Sequence, residues 1–268
     1  MPKVFSPTCN CHTQVADIDF SLRKRDRLTV WMERDGKRVR TLVHNRSYPA
    51  GPVPLVFDGI TETGTTLPQG LYQPVVHLAR AHRTIKLPNL IRLDTTPPRV
   101  HVRHPIYTAI SPDGDGRNDF FRIAYRLSEP AHAILLVDGR QVEYTLRKKT
   151  EGFLTWNGRV DHHVARPGNH VLRISAQDAA GNRATPFPFA VVQVRYVRLG
   201  RDRVLAKPGT RFAILVLSDA KQVSWLFARG HGTARPGTLE FRAPRKRGVY
   251  RLYVGAAGHS AKAVVVVG

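Results

Sequence analysis

The feature that most limits what this chain can become is an internal repeat with a period near one hundred residues. One copy opens at Phe5-Ser6-Pro7 and continues through Ala16-Asp17-Ile18-Asp19-Phe20-Ser21-Leu22. The other opens at Ile110-Ser111-Pro112 and continues through Phe121-Arg122-Ile123-Ala124-Tyr125-Arg126-Leu127, so that Ser6 and Ser111 are 105 positions apart. Asp35-Gly36 answers Asp138-Gly139 at an offset of 103, and Phe57-Asp58-Gly59 answers Trp156-Asn157-Gly158 at 99. A drifting offset is what varying turns between constant strands produce. Solenoid repeats run about 20–50 residues, so a period this long is a whole domain. The chain reads as a string of like modules.

The local pattern is strand throughout. Leu28-Thr29-Val30-Trp31-Met32, His132-Ala133-Ile134-Leu135-Leu136-Val137 and His170-Val171-Leu172-Arg173-Ile174 are short β-branched or aromatic runs, several alternating apolar with polar residues, as a half-buried strand does. Asp35-Gly36, Asp58-Gly59, Asp138-Gly139 and Asn157-Gly158 punctuate them; these pairs tolerate the positive φ of tight hairpin turns. No stretch of a dozen residues carries a helical period. Many short strands with frequent turns predict antiparallel sandwiches. Asp94-Thr95-Thr96-Pro97-Pro98 reads as a stiff joint that cannot continue a sheet ladder, and a softer joint falls near Val194-Arg195-Tyr196. The expected units are 1–95, 99–193 and 194–268, the last a smaller sandwich expected to lack a strand or two.

A net charge of +22 sets the partner class. Such a surface attracts polyanions: nucleic acid, anionic wall polymers, acidic polysaccharide or lipid headgroups. Residues 195–268 carry 15 Lys and Arg against 3 acids, which is more than half of the excess. Arg242, Arg245, Lys246, Arg247 and Arg251 form its densest part and are the expected polyanion-binding residues. The most apolar run, Ala263-Val264-Val265-Val266-Val267, is far shorter than the roughly 20 residues of a membrane-spanning helix. Met1-Pro2-Lys3 leads straight into the first module with no export signal. That leaves a cytoplasmic protein, a fragment, or an exported protein whose true start lies upstream; the last two are the expectation.

Ser111-Pro112-Asp113-Gly114-Asp115-Gly116-Arg117-Asn118-Asp119 resembles the opening of bacterial immunoglobulin-like domains of the flagellar hook-cap (FlgD) type. Leu154-Thr155-Trp156-Asn157-Gly158-Arg159, Arg166-Pro167-Gly168 and Ala176-Gln177-Asp178-Ala179-Ala180-Gly181-Asn182 are similar to later motifs of the same family. The likeness covers nearly all of 105–193. It is looser in the first module, where Thr8-Cys9-Asn10-Cys11-His12-Thr13-Gln14 replaces the acidic opening, and it is not read in the third. The resemblance implies an all-β fold of tandem immunoglobulin-like antiparallel β-sandwiches. It further implies a non-catalytic spacer or adhesive module on an exported or cell-surface protein.

Three groups of residues are candidates for chemistry. Asp113, Asp115, Asn118 and Asp119 place oxygens at near-alternate positions between glycines, which suits calcium; the twelfth position is Ala124, so this is no EF-hand. The competing reading is a polar turn in which Asp and Asn cap backbone amides. Cys9 and Cys11 read chiefly as two thiols in an exposed loop, with a strained disulfide as the alternative; a zinc site would need His12 and a distant fourth ligand that nothing marks. Trp156 and Phe57, at matching places, read as core plugs, and Trp31 and Trp225 are read the same way. No nucleophile elbow, nucleotide-binding glycine motif or acid pair appears, so no enzyme is expected. The expected function is a structural or adhesive module of the cell envelope, spacing an assembly or attaching to an anionic cell-wall polymer or another envelope protein. The alternatives are a basic protein that binds nucleic acid non-specifically, and accessory domains of a larger secreted enzyme.

Overall fold

The computed structural model describes residues 3–103 and 106–268. Met1 and Pro2, read above as leading into the first module, lie outside the described residues, as do His104 and Pro105. No helix occurs among the described residues. The first module contains β1 (Lys3–Phe5), β2 (Ala16–Leu22), β3 (Asp26–Arg34), β4 (Lys37–Tyr48), β5 (Gly51–Phe57), β6 (Gly70–Leu78), β7 (Arg83–Lys86) and β8 (Ile91–Leu93). The second contains β9 (Val100–Val102), β10 (Ile106–Ile110), β11 (Phe121–Val137), β12 (Arg140–Tyr144), β13 (Lys149–Trp156), β14 (Arg159–Val160), β15 (His163–Val164), β16 (Gly168–Gln177) and β17 (Phe187–Val194). The third contains β18 (Arg198–Leu199), β19 (Arg203–Ala206), β20 (Arg211–Leu217), β21 (Val223–Phe227), β22 (Gly230–Ala234), β23 (Gly237–Arg242), β24 (Gly248–Ala256) and β25 (His259–Val267).

One topology is used three times. The larger sheets run β1-β8-β6-β3-β4, β10-β17-β16-β11-β12 and β19-β25-β24-β21-β22. The facing pairs are β2-β5, the first half of β11 with β13, and β20-β23. The closing strand of each module lies parallel to an early one, β1, β10 or β19, and every other named pairing is antiparallel, including those of the entering strands β9 with β11 and β18 with β20. The third module therefore lacks no strand. The sequence expectation of a reduced sandwich is corrected: only its turn motifs have diverged, and the ladder has not.

The cores follow the strand alternation. Leu28, Val30 and Met32 of β3 are fully buried, so Trp31, one residue out of phase, faces the other side. It is half-buried, its indole Nε1–H donates to Glu33 (3.0 Å) and the Arg38 guanidinium lies 5.0 Å over its ring. This overturns its expected role as a core plug. Phe57 and Trp156 are core residues, and Trp156 donates its Nε1–H to the Arg159 carbonyl at 2.9 Å, which satisfies the polar end that burial would otherwise leave orphaned. The second core extends through Val194 to Tyr196, and the third is built from Val204, Ile214, Val216, Leu252, Val254 and Val265 with their neighbours.

Candidate functional site

Each Ser-Pro opening loop docks on the module that follows. In the first, Ser6 N–H donates to the Thr13 carbonyl (3.0 Å) and closes the loop on itself. Asn10, at φ 49°, turns the chain so that Cys9 and Cys11 have Cα atoms 5.3 Å apart and form a disulfide. That separation lies within the bridging range, and Asn is among the few residues that take this conformation readily. The reading of two thiols in an exposed loop is thereby corrected. The bridge is half-buried because the loop sits against the second module. Thr13 Oγ1–H donates to the Ala180 carbonyl (2.7 Å), and Asn182 Nδ2–H donates to the Asp94 carbonyl (2.9 Å). Gly181, at φ +91°, lies so close that a Cβ there would fall 2.2 Å from Cys11 Sγ.

Beneath this contact Asp94, Glu129 and Asp178 bring carboxylate oxygens within 4.8 Å of one another. Asp178 accepts from Asn182 N–H (2.9 Å) and Nδ2–H (2.8 Å), and Asp94 accepts from Thr96 N–H (3.1 Å) and meets Arg92 at 3.4 Å. Burial raises the Asp178 carboxyl above its ordinary value, against the Asn182 hydrogen bonds and with help from the Asp94 charge. Glu129 is raised by burial and then by Asp178 and Asp94, with Arg92 opposing. Removing a carboxylate from water and placing it beside like charges both favour the protonated form.

The second opening loop carries the acidic motif. Asp119 accepts from both Gly114 N–H and Gly116 N–H, each at 2.7 Å. Asp113 accepts from Asp115 N–H (3.2 Å) and Asp115 from Arg117 N–H (2.8 Å). The three carboxylates lie within 4.8 Å of one another, and burial, with the charges of Asp115, Asp219 and Asp119, raises Asp113. Asn118 reaches across to the next module. Its Nδ2–H donates to Asp219 of the third module (3.1 Å), and the buried Ser111 hydroxyl donates to the same carboxylate. Tyr196 and His259 stack across this joint with ring centroids 3.8 Å apart. Sequence reasoning missed Thr13, Gly181 and Asp219, since nothing local marks a residue whose partner lies in another module.

The basic end lies at the far side of the third module from these contacts. β24 carries the chain from the basic turn at Gly248 to Ala256, next to His259 at the joint, about 26 Å by the rise of a strand. The turn itself is a corner present three times. Gly70, Gly168 and Gly248 have φ of 146, 143 and 152°. Two residues on, Tyr72 hydroxyl donates to the Pro68 carbonyl, His170 Nε2 meets the Arg166 carbonyl (2.8 Å), and Tyr250 hydroxyl donates to the Lys246 carbonyl (2.9 Å). This is the tyrosine corner at the sixth strand of immunoglobulin-type sandwiches. Gly248-Val249-Tyr250 against Gly70-Leu71-Tyr72 was its sequence signal.

What differs is the cover ahead of the corner. Twelve residues separate Phe57 from Gly70 and eleven separate Trp156 from Gly168, but only six separate Phe241 from Gly248. In the first two modules that segment lays Leu67 and Ala165 over the sandwich end. In the third it is short, and a cleft of about 650 Å³ opens between the sheets. Its floor is Trp225, Phe241 and Tyr250; its rim is Arg229, Arg242, Arg245 and Lys246, with Glu240 the one acid among the described lining residues. Trp225 stands three residues before the left-handed Ala228, where Met32 precedes Asp35 and Leu135 precedes Asp138. Those two are fully buried; Trp225 is half-buried and packs against the third core from its edge. Arg247 and Arg251 are exposed and lie outside the cleft, so the predicted basic cluster divides.

No family model matches the chain, and no curated protein matches it. Among solved structures, the fibronectin(III)-like modules of Clostridium thermocellum CbhA are 16% identical, covering 72% of this chain and 90% of theirs, with TM-score 0.37. Immunoglobulin domains 1–5 of Sidekick-1 are 12% identical over 90% of this chain and 52% of theirs, at 0.31. The titin tandem A164–A165 is 8% identical over 64% and 95%, at 0.26. The class therefore rests on the strands themselves: an all-β chain of tandem immunoglobulin-like sandwiches.

Proposed function

We propose that this chain is a non-catalytic spacer and attachment module of an exported or cell-envelope protein, related to the hook-cap type of immunoglobulin-like domain. Its docked sandwiches hold a distance, and its basic end grips an anionic wall polymer. The observation that carries the reading is the placement of charge. The densest Lys and Arg lie at the end of the third module remote from the joint, free to meet a partner. The Cys9–Cys11 disulfide supports an oxidising compartment, since such bonds persist outside the reducing cytosol.

Retention on immobilised anionic wall polymer and on duplex DNA, each at about 0.05 and about 0.3 M salt, tests the proposal. Retention on wall polymer that outlasts the higher salt, with DNA released, is expected. Release from both leaves only long-range attraction and overturns the attachment role. Retention on DNA alone favours the nucleic-acid alternative.

A further inference from the structure

We infer that the cleft in the third module is a binding site for a short acidic saccharide, its carboxylates held by Arg245, Lys246 and their neighbours over the Trp225–Tyr250 floor. This deepens the polyanion reading above and rests on it.

Three observations converge. First, the cleft is made by a deletion. The first two modules spend eleven or twelve residues covering this end of the sandwich and the third spends six, so an aromatic core that is sealed twice is open once. An unsealed apolar surface costs free energy in water, and the side chain at Trp225, which no corner hydrogen bond requires, could have been smaller or polar. Second, the side chains that rim the opening are cationic, with Arg242 held by its Nε–H donation to the Gly209 carbonyl (2.9 Å) and the backbone that carries Lys246 fixed by the Tyr250 corner. Glu240, the one acid among the described lining residues, faces Arg211 at 3.6 Å. Third, the volume falls in the range of ordinary small-ligand pockets, about 300–1,000 Å³, and the floor is a locked ring cluster: Trp225–Phe241 at 5.4 Å and Phe227–Phe241 at 5.8 Å.

A pyranose ring offers apolar C–H faces to an aromatic floor, whose π faces are electron-rich. Its carboxylate matches the fork of an arginine. A uronic acid carries both on one residue. A nucleic-acid strand is the poorer fit, because strand binders use an extended groove that tracks the backbone and this cleft is bounded by two sheets.

The probe is a tetramer of galacturonic acid, titrated into the full chain near physiological salt. R245Q/K246Q removes two charges inside the cleft; R247Q/R251Q removes two outside it, and all four side chains are exposed. The cleft requires at least a tenfold loss of affinity for the first pair and less than twofold for the second. Equal losses, or retention of long polygalacturonate with no binding of the tetramer, would overturn the cleft while leaving the attachment reading intact. Failure of both polymer and tetramer would overturn the two together. Tighter binding of a thymidine tetranucleotide or tetraglutamate than of the uronate would overturn the saccharide assignment.

Discussion

Gly181 is the position where one added carbon should unseat the first joint. A Cβ there would lie 2.2 Å from Cys11 Sγ and 2.7 Å from Thr13 Oγ1, where a comfortable contact is about 3.5–4.0 Å. The disulfide loop must therefore withdraw by more than an ångström. Withdrawal breaks the Thr13–Ala180 and Asn182–Asp94 hydrogen bonds, each worth about 1 kcal/mol net. A joint cost of about 2 kcal/mol multiplies the open population by about 30. Gly181→Ala also carries the strain of a left-handed residue, about 1–3 kcal/mol. Gly139→Ala supplies that control, because Gly139 has φ +85° with nothing near its missing Cβ. Both variants should lower the melting temperature of the second module. Only Gly181→Ala should speed proteolytic cleavage at residues 94–98, by roughly the same factor of 30. Equal cleavage in the two variants would refute the docking argument.

Four further outcomes follow from the same geometry. Asp119→Ala removes two backbone caps and should destabilise the second module by about 1–2 kcal/mol in denaturant melts run without divalent cations. If the 113–119 loop takes calcium, millimolar calcium will raise the melting temperature and Asp115→Ala will abolish the shift; an unchanged curve identifies a capped turn. The raised Glu129 and Asp178 carboxyls bind protons more tightly folded than unfolded. Their stabilisation is full below the ordinary carboxyl value and is lost as pH rises through the raised one, so hydrogen exchange at residues 178–182 should quicken across that window and Glu129→Gln should flatten the change. Trp156→Ala, at a fully buried site, should cost about 3–5 kcal/mol in equilibrium unfolding.

The fold was legible where strands and turns are local. Alternation on β3 and the Asp-Gly turns placed the first two modules, because a two-residue period and a positive-φ turn are written in adjacent residues. The third copy was harder to read because its turn uses Ala228 where Asp35 and Asp138 stand and its corner loop is short. The ladder survives such changes, since it depends on the backbone. The candidate site was legible in charge and not in shape. Arg242, Arg245 and Lys246 could be named from composition, but the cleft beside them exists only through a comparison of loop lengths in three dimensions. The disulfide stood in the sequence only as the alternative to two free thiols, because it depends on how Asn10 turns.

Each module closes on a strand parallel to an early one, β1 beside β8, β10 beside β17, β19 beside β25, while the short entering strands β9 and β18 lie antiparallel on the facing sheet. Tension between the two ends of a module can peel β9 or β18 away, but it then loads the parallel ladder in shear, so those hydrogen bonds must yield together and cannot be unzipped singly. Among the described residues the second module has five aligned residue pairs in this ladder, the third four and the first three. Stretched from its ends, the chain should give way first at the module that carries the disulfide loop and last at the one in the middle.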